Sequence, residues 1–127
     1  MYKIKFVGFS LAAAASLAAT PLFAHPSLVT AKPSANATVA PTNRIDLVFS
    51  EKIMPANTRM QLMMTSMPGM ANHAPMKMPI SVMMGKDGKS VMVMMKKPLA
   101  AGAYELRWMA SGDDKEVVSG KYAFQVK

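Results

Sequence analysis

The segment between residues 102 and 110, GAYELRWMA, constrains the fold of this chain more than any other. Tyr104, Leu106 and Trp108 occupy alternate positions, and Glu105, Arg107 and Met109 follow them one by one. A two-residue period is that of a β-strand with one face in a core and the other in water. We therefore predict a half-buried strand whose inward side chains are Tyr104, Leu106 and Trp108.

Six more short segments favour strands over helices. They are residues 28–31, 44–49, 60–64, 80–84, 91–95 and 120–126. The sequence GKDG at residues 85–88 predicts a hairpin between the fourth and fifth of these segments. No stretch after residue 24 has a helical period of useful length. Seven short strands within about 100 residues predict an all-β domain, an antiparallel sandwich or a barrel.

The first 24 residues are typical of a secretory signal. A short basic head with Lys3 and Lys5 precedes an Ala-rich apolar stretch that ends at Ala24. The alternative is an uncleaved membrane anchor, but the many Ala and Ser residues and Pro21 favour cleavage. We predict a signal peptide over 1–24 and an exported domain over 25–127, since no later stretch is long and apolar enough to span a bilayer.

Composition excludes several classes of function. The chain has no cysteine, so no disulfide, thiolate ligand or cysteine nucleophile is available. It has 15 Lys and Arg against 7 Asp and Glu, but the basic residues are scattered singly, without interleaved aromatic residues. Export and this scattering argue against nucleic acid as a partner. A solvated basic surface is the simplest interpretation.

Methionine dominates the segment between residues 64 and 78. Its prolines and glycine argue against a long helix or a central strand, so we predict a loop. No carboxylate occurs between Lys52 and Lys86, which disfavours a hard cation such as calcium or magnesium. Thioethers and one imidazole instead suit a soft monovalent ion, Cu(I) or its mimic silver. The candidate ligands are Met64, Met67, Met70, His73 and Met76, with Met78 as a spare sulfur. The alternative is a flexible methionine-rich surface for apolar contacts.

Five other methionines lie in the predicted strands at residues 80–84 and 91–95: Met83, Met84, Met92, Met94 and Met95. Adjacent residues of a strand face opposite sides, so some of these side chains must be buried and some exposed. Ordinary core packing and surface methionine are the simplest interpretation of this group.

Cleavage after Ala24 makes His25 the first residue. Its α-amine and its imidazole Nδ1 can chelate one ion, and Pro26 has no amide hydrogen for a metal to displace. Nitrogen and oxygen donors suit Cu(II). Candidate partners are the acids of the GDDKE segment at residues 112–116. The alternative is an ordinary solvated turn beside an ordinary chain terminus.

These motifs resemble the CopC/PcoC family of periplasmic copper-resistance proteins. The resemblance rests on the His25-Pro26 start, the strand at residues 45–51, the MTSMPGM and HAPM motifs, and Trp108. It implies a seven-stranded, immunoglobulin-like Greek-key sandwich with separate Cu(I) and Cu(II) sites at opposite ends. It also implies a periplasmic protein that passes copper to a CopD-like inner-membrane permease or to a multicopper oxidase. We expect the protein to be a monomer.

The resemblance also assigns ligands. The Cu(I) set is the one named above, and the Cu(II) set comprises His25, Asp114 and the position of Glu116. The family has histidine at that third position, so the resemblance implies a weakened or altered Cu(II) site here. Two other functions stay open. One is a copper-dependent oxidase of the histidine-brace type, which needs a second histidine. The other is an interaction module without metal.

Overall fold

Two β-sheets pack face to face in the computed structural model, which describes residues 25–70, 73–113 and 115–127. One sheet has four strands in the order β1-β3-β7-β6, and the other has five in the order β2-β9-β8-β4-β5. The strand bounds are β1 Leu28–Lys32, β2 Thr38–Val39, β3 Arg44–Phe49, β4 Arg59–Ser66, β5 Met76–Met78, β6 Ser81–Met84, β7 Ser90–Met94, β8 Gly102–Ser111 and β9 Val117–Val126. The predicted signal segment, residues 1–24, lies outside the described residues.

The predicted all-β sandwich is confirmed. The chain crosses between the sheets after β1, β2, β3, β5 and β7, as in an immunoglobulin-like Greek-key sandwich. Paired strands run antiparallel, except that β2 runs parallel to β9. Within the described ranges, the helical content is one 3₁₀ turn at Pro55–Asn57, and no helix there could cross a membrane.

The number of strands differs from the predicted seven. The described residues contain nine strands, but β2 has two residues and β5 has three. The other seven each overlap a predicted segment. The prediction of a loop over the whole of residues 64–78 is wrong at both ends, because Met64 lies in β4 and Met76 begins β5. The prolines flank these strands, and β5 is a short edge strand, where proline nearby is tolerated.

The alternation in β8 builds the core as predicted. Tyr104 and Leu106 are fully buried and Trp108 is nearly so, whereas Arg107 and Met109 are exposed. The same alternation in β3 and β7 buries apolar side chains from the other sheet, so the core fills the space between the sheets. Burial of these side chains is the main favourable contribution to folding.

Trp108 closes one end of this core. Its ring meets Phe49 edge to face, with ring centroids 5.1 Å apart and planes at 79°. Gly120 lies directly opposite Trp108 in the β8–β9 pair, and a Cβ atom there would lie 2.4 Å from the tryptophan Cζ2. The indole can therefore lie against β9 because residue 120 has no side chain.

The predicted hairpin between β6 and β7 is present and is fixed by Asp87. Its carboxylate accepts hydrogen bonds from the backbone N–H groups of Lys89 and Ser90, both at 2.9 Å, and from the Ser90 hydroxyl at 2.8 Å. These bonds, the one from Lys89 foremost, hold the pKa of Asp87 below its ordinary value because they stabilise the charged carboxylate.

Candidate metal centres

A tight turn sets two of the predicted sulfur ligands opposite each other. Pro68 and Gly69 occupy its central positions, and the Gly69 φ of +80° matches the third residue of a type II turn. The Met70 N–H donates to the Met67 carbonyl at 3.0 Å, and the two methionines form an isolated antiparallel bridge. Met67 is half-buried and Met70 is 54% exposed, so this thioether pair lies at the surface.

A second pair of predicted ligands is brought together by strand pairing. Met64 in β4 is the partner of Met76 in β5, so both side chains leave the same face of the five-stranded sheet. That face is the core face, and Met64 is only 5% exposed. Met76 is 51% exposed because β5 is the outer strand of the sheet. One member of this pair, Met64, is therefore buried in the core, and the other, Met76, is accessible to solvent.

Gly102 at the start of β8 connects the two pairs. A Cβ atom there would lie 2.7 Å from the Cε of Met64, 2.5 Å from the Ser66 carbonyl oxygen and 3.5 Å from the Cα of Met67. The Met64 methyl and the Met67 backbone thus approach the same point on β8. No sequence signal marks Gly102 as part of the site, since its importance depends on a pairing across the sheet.

His73 lies in the connection that leads into β5. Its Nδ1 lies 2.7 Å from the carbonyl oxygen of Ala74, and because a carbonyl can only accept, Nδ1 carries the proton. The other ring nitrogen, Nε2, then has a free lone pair. That nitrogen is buried and has no hydrogen-bond partner among the described residues. A buried nitrogen without a partner costs free energy unless something binds it. A lone pair that is available for binding is also what a metal ligand needs.

All five predicted Cu(I) ligands therefore fall at one end of the five-stranded sheet. Two thioethers face each other across a turn, two across β4 and β5, and the imidazole lies between them in the chain. None of these donors carries a negative charge. Elsewhere in the described ranges, no group of three or more His, Cys, Asp or Glu side chains is close enough to hold a metal ion.

The predicted N-terminal site has a different construction. Pro26 is buried, and its ring lies against Gly112 in the β8–β9 connection, where a Cβ atom would be 3.3 Å from the proline Cγ. This packing holds His25 beside the connection, with its Nε2 3.2 Å from the Glu116 carboxylate oxygen. Both side chains are largely exposed, at 47% and 70%. Asp114, the third predicted ligand, lies outside the described residues.

The two candidate centres lie at opposite ends of β8. Gly102, beside the methionine pairs, begins this ten-residue strand, and Ser111, next to Gly112, ends it. At about 3.3 Å per residue, the two ends are roughly 30 Å apart. Neither centre can therefore supply a ligand to the other without rearrangement of the sheet.

A groove that the sequence analysis missed crosses the outer face of the five-stranded sheet. It has a volume of about 500 Å³ and includes three basic side chains. Its lining residues are Arg59, Gln61, Arg107, Trp108, Met109, Ser119, Gly120 and Lys121. Glu105 neutralises part of this charge, since its carboxylate lies 3.0 Å from Arg107 and 3.5 Å from Lys121. None of the predicted metal ligands that the structure describes lines the groove.

The fold and the two centres define a class of small β-sandwich proteins with a thioether–imidazole cluster at one end and a histidine–carboxylate pair at the other. The model of the CopC domain family matches residues 28–127, and the chain belongs to this family. It is 44% identical to Copper resistance protein C of Xanthomonas campestris pv. juglandis over 114 residues, 90% of this chain and 89% of that protein. It is 38% identical to Copper resistance protein C of Escherichia coli over 104 residues, 82% of each chain.

Solved structures agree with this assignment. PcoC, a methionine-rich copper resistance protein from Escherichia coli, superposes with a TM-score of 0.75 at 36% identity, over 82% of this chain and all of that one. CopC from Methylosinus trichosporium OB3b gives a TM-score of 0.67 at 25% identity, over 81% of this chain and 94% of that one. The predicted family is confirmed.

Proposed function

We propose that this protein is an exported copper carrier that acts in copper resistance and binds Cu(I) through its methionine pairs and His73. The observation that carries the proposal is the buried Nε2 of His73, whose lone pair has no partner among the described residues and which lies between thioether pairs in the chain. A neutral imidazole with neutral thioethers is a donor set for a soft monovalent ion. Copper resistance in the named relatives supports the choice of metal.

The pairs contribute differently to such a site. Met67, Met70 and Met76 reach solvent and can receive the ion, whereas Met64 is a core residue whose thioether can support it from below. Thioethers need no deprotonation, so sulfur binding should persist at mildly acidic pH. A shallow site with exposed sulfurs also suits a carrier, because a partner can reach the ion and remove it.

We also propose a weaker Cu(II) site at His25. Once the signal is removed, the α-amine and Nδ1 of His25 can chelate the ion, while the contact of Nε2 with Glu116 orients the ring. To supply an oxygen, the Glu116 carboxylate must leave Nε2 and turn toward the ion at Nδ1, and Asp114 can supply another. Oxygen in place of imidazole makes this site weaker than one with three nitrogen ligands. A Cu(II) titration followed by electron paramagnetic resonance tests this, and three-nitrogen binding by the unaltered protein would contradict it.

An oxidase of the histidine-brace type fits less well. Such a brace needs a second imidazole beside the terminal histidine, and the chain has two histidines in all. His73 belongs to the methionine end, roughly 30 Å along β8 from His25. We therefore propose a binding protein and not an enzyme. Assay of peroxide formation with Cu(II) and a reductant separates the two functions.

The compartment and the partners follow from the same proposal. A cleaved signal over residues 1–24 would place the domain over 25–127 in the periplasm, as a monomer. The receiving protein would be a CopD-like inner-membrane permease or a periplasmic multicopper oxidase. A partner of either kind must approach the end that carries Met70 and Met76, because the ion leaves from there.

Competition for Cu(I) with a chromogenic chelator tests the function. The protein used is the mature form, with its start at His25 confirmed by mass spectrometry. The variant combines Met67→Leu, Met70→Leu and Met76→Leu, which keep apolar volume but remove sulfur. The matched control is Met109→Leu, an equally exposed methionine whose outer-face neighbours are Arg59 and Ser119.

We expect the triple variant to keep its circular dichroism spectrum and to lose Cu(I) binding by at least 100-fold. The Met109→Leu control should bind as the unaltered protein does. If the folded triple variant competes as well as the control, the loop does not hold copper and the interaction module is the better interpretation.

A further inference from the structure

A second cluster of methionines lies on the outer face of the four-stranded sheet, away from the candidate centres. In β7, Val91 and Val93 are fully buried, so the alternate residues Met92 and Met94 face outward. Met83 in β6 is the direct cross-strand partner of Met92 and is 54% exposed. Three thioethers therefore share one patch of the outer face, which we call the outer triad: Met83, Met92 and Met94.

Strand geometry places these side chains within reach of one point. Directly opposite residues such as Met83 and Met92 have Cβ atoms about 4.5–5.5 Å apart. Met94 follows Met92 on the same face at roughly 6.8 Å, two strand residues further along. Methionine has three rotatable bonds and a polarizable sulfur, so all three sulfurs can turn toward a common ligand.

The choice of residue in β7 also points to sulfur chemistry. The two inward positions are valine, which strands favour for apolar packing, and two of the three outward positions are methionine, the third being Ser90. Met92 and Met94 are half-buried and Met83 is exposed, and none of the three packs against the core between the sheets. Polar or β-branched residues would serve there equally well if only strand stability mattered, so the thioethers are the distinguishing chemistry of this face.

The charged side chains beside the triad include Asp46 and Arg44 in β3 and Lys96 after β7. Asp46 and Arg44 in β3 are the cross-strand partners of Met92 and Met94, and they form an ion pair with 2.8 Å between Arg44 Nε and Asp46 Oδ1. The arginine is thereby neutralised on the side of the triad that faces β3. On the opposite side β6 is the edge of the sheet, and a pocket of about 270 Å³ opens there, with Ser81, Met94 and Lys96 among its lining residues.

We infer that the outer triad is a second binding site for a soft monovalent metal ion, with Cu(I) or Ag(I) held by three thioether sulfurs. Neutral sulfur donors favour such ions over hard divalent cations. The site lies on the four-stranded sheet, whereas Met64 and Met76 lie on the five-stranded sheet, so its occupancy does not depend on the proposed Cu(I) site at the methionine pairs and His73. The protein then binds two monovalent ions at two separate places.

Native mass spectrometry of the mature protein titrated with Ag(I) counts the bound ions. One variant combines Met83→Leu, Met92→Leu and Met94→Leu, another is the loop variant described above, and Met109→Leu is the matched control. Carbon-13 labelling of the methionine methyl groups shows, by nuclear magnetic resonance, which thioethers respond to the ion. Circular dichroism confirms that each variant is folded.

We expect two Ag(I) ions on the unaltered protein and on the control, and one on each triple variant. On addition of Ag(I), the methyl signals of the outer triad should shift together in the unaltered protein. They should shift in the same way in the loop variant. Two outcomes would show that the inference is wrong and that the patch is only an apolar contact surface. One is that the outer-triad variant still binds two ions. The other is that the methyl signals of Met83, Met92 and Met94 in the unaltered protein do not move when Ag(I) is added. If the unaltered protein binds one ion and the loop variant also binds one, that ion is held by the outer triad, and the proposed loop function is overturned instead.

Discussion

Replacement of Gly102 by alanine tests whether the sheet sets the geometry of the methionine pairs. The new Cβ would lie 2.5 Å from the Ser66 carbonyl oxygen and 2.7 Å from the Met64 Cε, whereas real Cβ contacts are essentially never shorter than 3.0 Å. Overpacking of this kind costs about 1–3 kcal/mol. For a domain of this size, we expect the melting temperature to fall by roughly 4–24 °C.

The same substitution should weaken metal binding. Either the Met64 methyl must swing away or the Ser66 backbone must shift, and a backbone shift moves Met67, whose Cα lies 3.5 Å from the new atom. We expect the dissociation constant for Ag(I) at the loop to rise about tenfold, which corresponds to about 1.4 kcal/mol.

Gly120→Ala is the matched control. Its Cβ would lie 2.4 Å from Trp108 at the other end of the sheet, so it should cost similar stability without touching the methionine pairs. Thermal unfolding by circular dichroism measures stability, and Ag(I) competition at a temperature where both variants are folded measures affinity. Equal affinity of the two variants would refute the idea that Gly102 sets the site geometry.

Three further substitutions test separate parts of the account. The charged Asp87 carboxylate stabilises the wild-type protein above about pH 4, and this stabilisation is lost as the pH falls through the lowered pKa of Asp87. Asp87→Asn should remove it, so the urea midpoints at pH 6 and pH 3 should differ less in the variant than in the wild-type protein. An unchanged difference would contradict this. Tyr122→Phe should leave stability unchanged or raise it by up to about 1 kcal/mol, because the buried hydroxyl has no hydrogen-bond partner among the described residues and burial raises its pKa; a clear fall in melting temperature would show a hidden partner. Glu116→His should raise Cu(II) affinity at least tenfold and add nitrogen coupling to the electron paramagnetic resonance spectrum, since it places an imidazole beside His25; an unchanged spectrum would count against the N-terminal site.

Much of the fold could be predicted because alternation alone identifies a half-buried strand. The β8 pattern predicted the inward residues Tyr104, Leu106 and Trp108, and all three are in the core. The same rule found β3, whereas the β6–β7 hairpin was predicted from the turn sequence GKDG at residues 85–88. It did not find β5, since three residues between prolines give no period to detect, and β5 forms only because β4 offers it an open edge.

The candidate centres were predictable in composition but not in geometry. The residue types around His73 indicate a soft ion, but strand pairing decides that Met64 faces Met76 and that Met64 enters the core. Likewise, no sequence signal shows that Pro26 packs on Gly112 and holds His25 beside Glu116. Such contacts join residues far apart in the chain, so they emerge only when the sheets are assembled.

X-ray absorption at the copper edge of the mature protein loaded with one equivalent of Cu(I) tests the central claim most directly. A shell of thioether sulfurs with a single imidazole nitrogen is predicted, and His73→Leu should remove the nitrogen and leave the sulfur. A spectrum with only nitrogen and oxygen neighbours around the copper would contradict the claim.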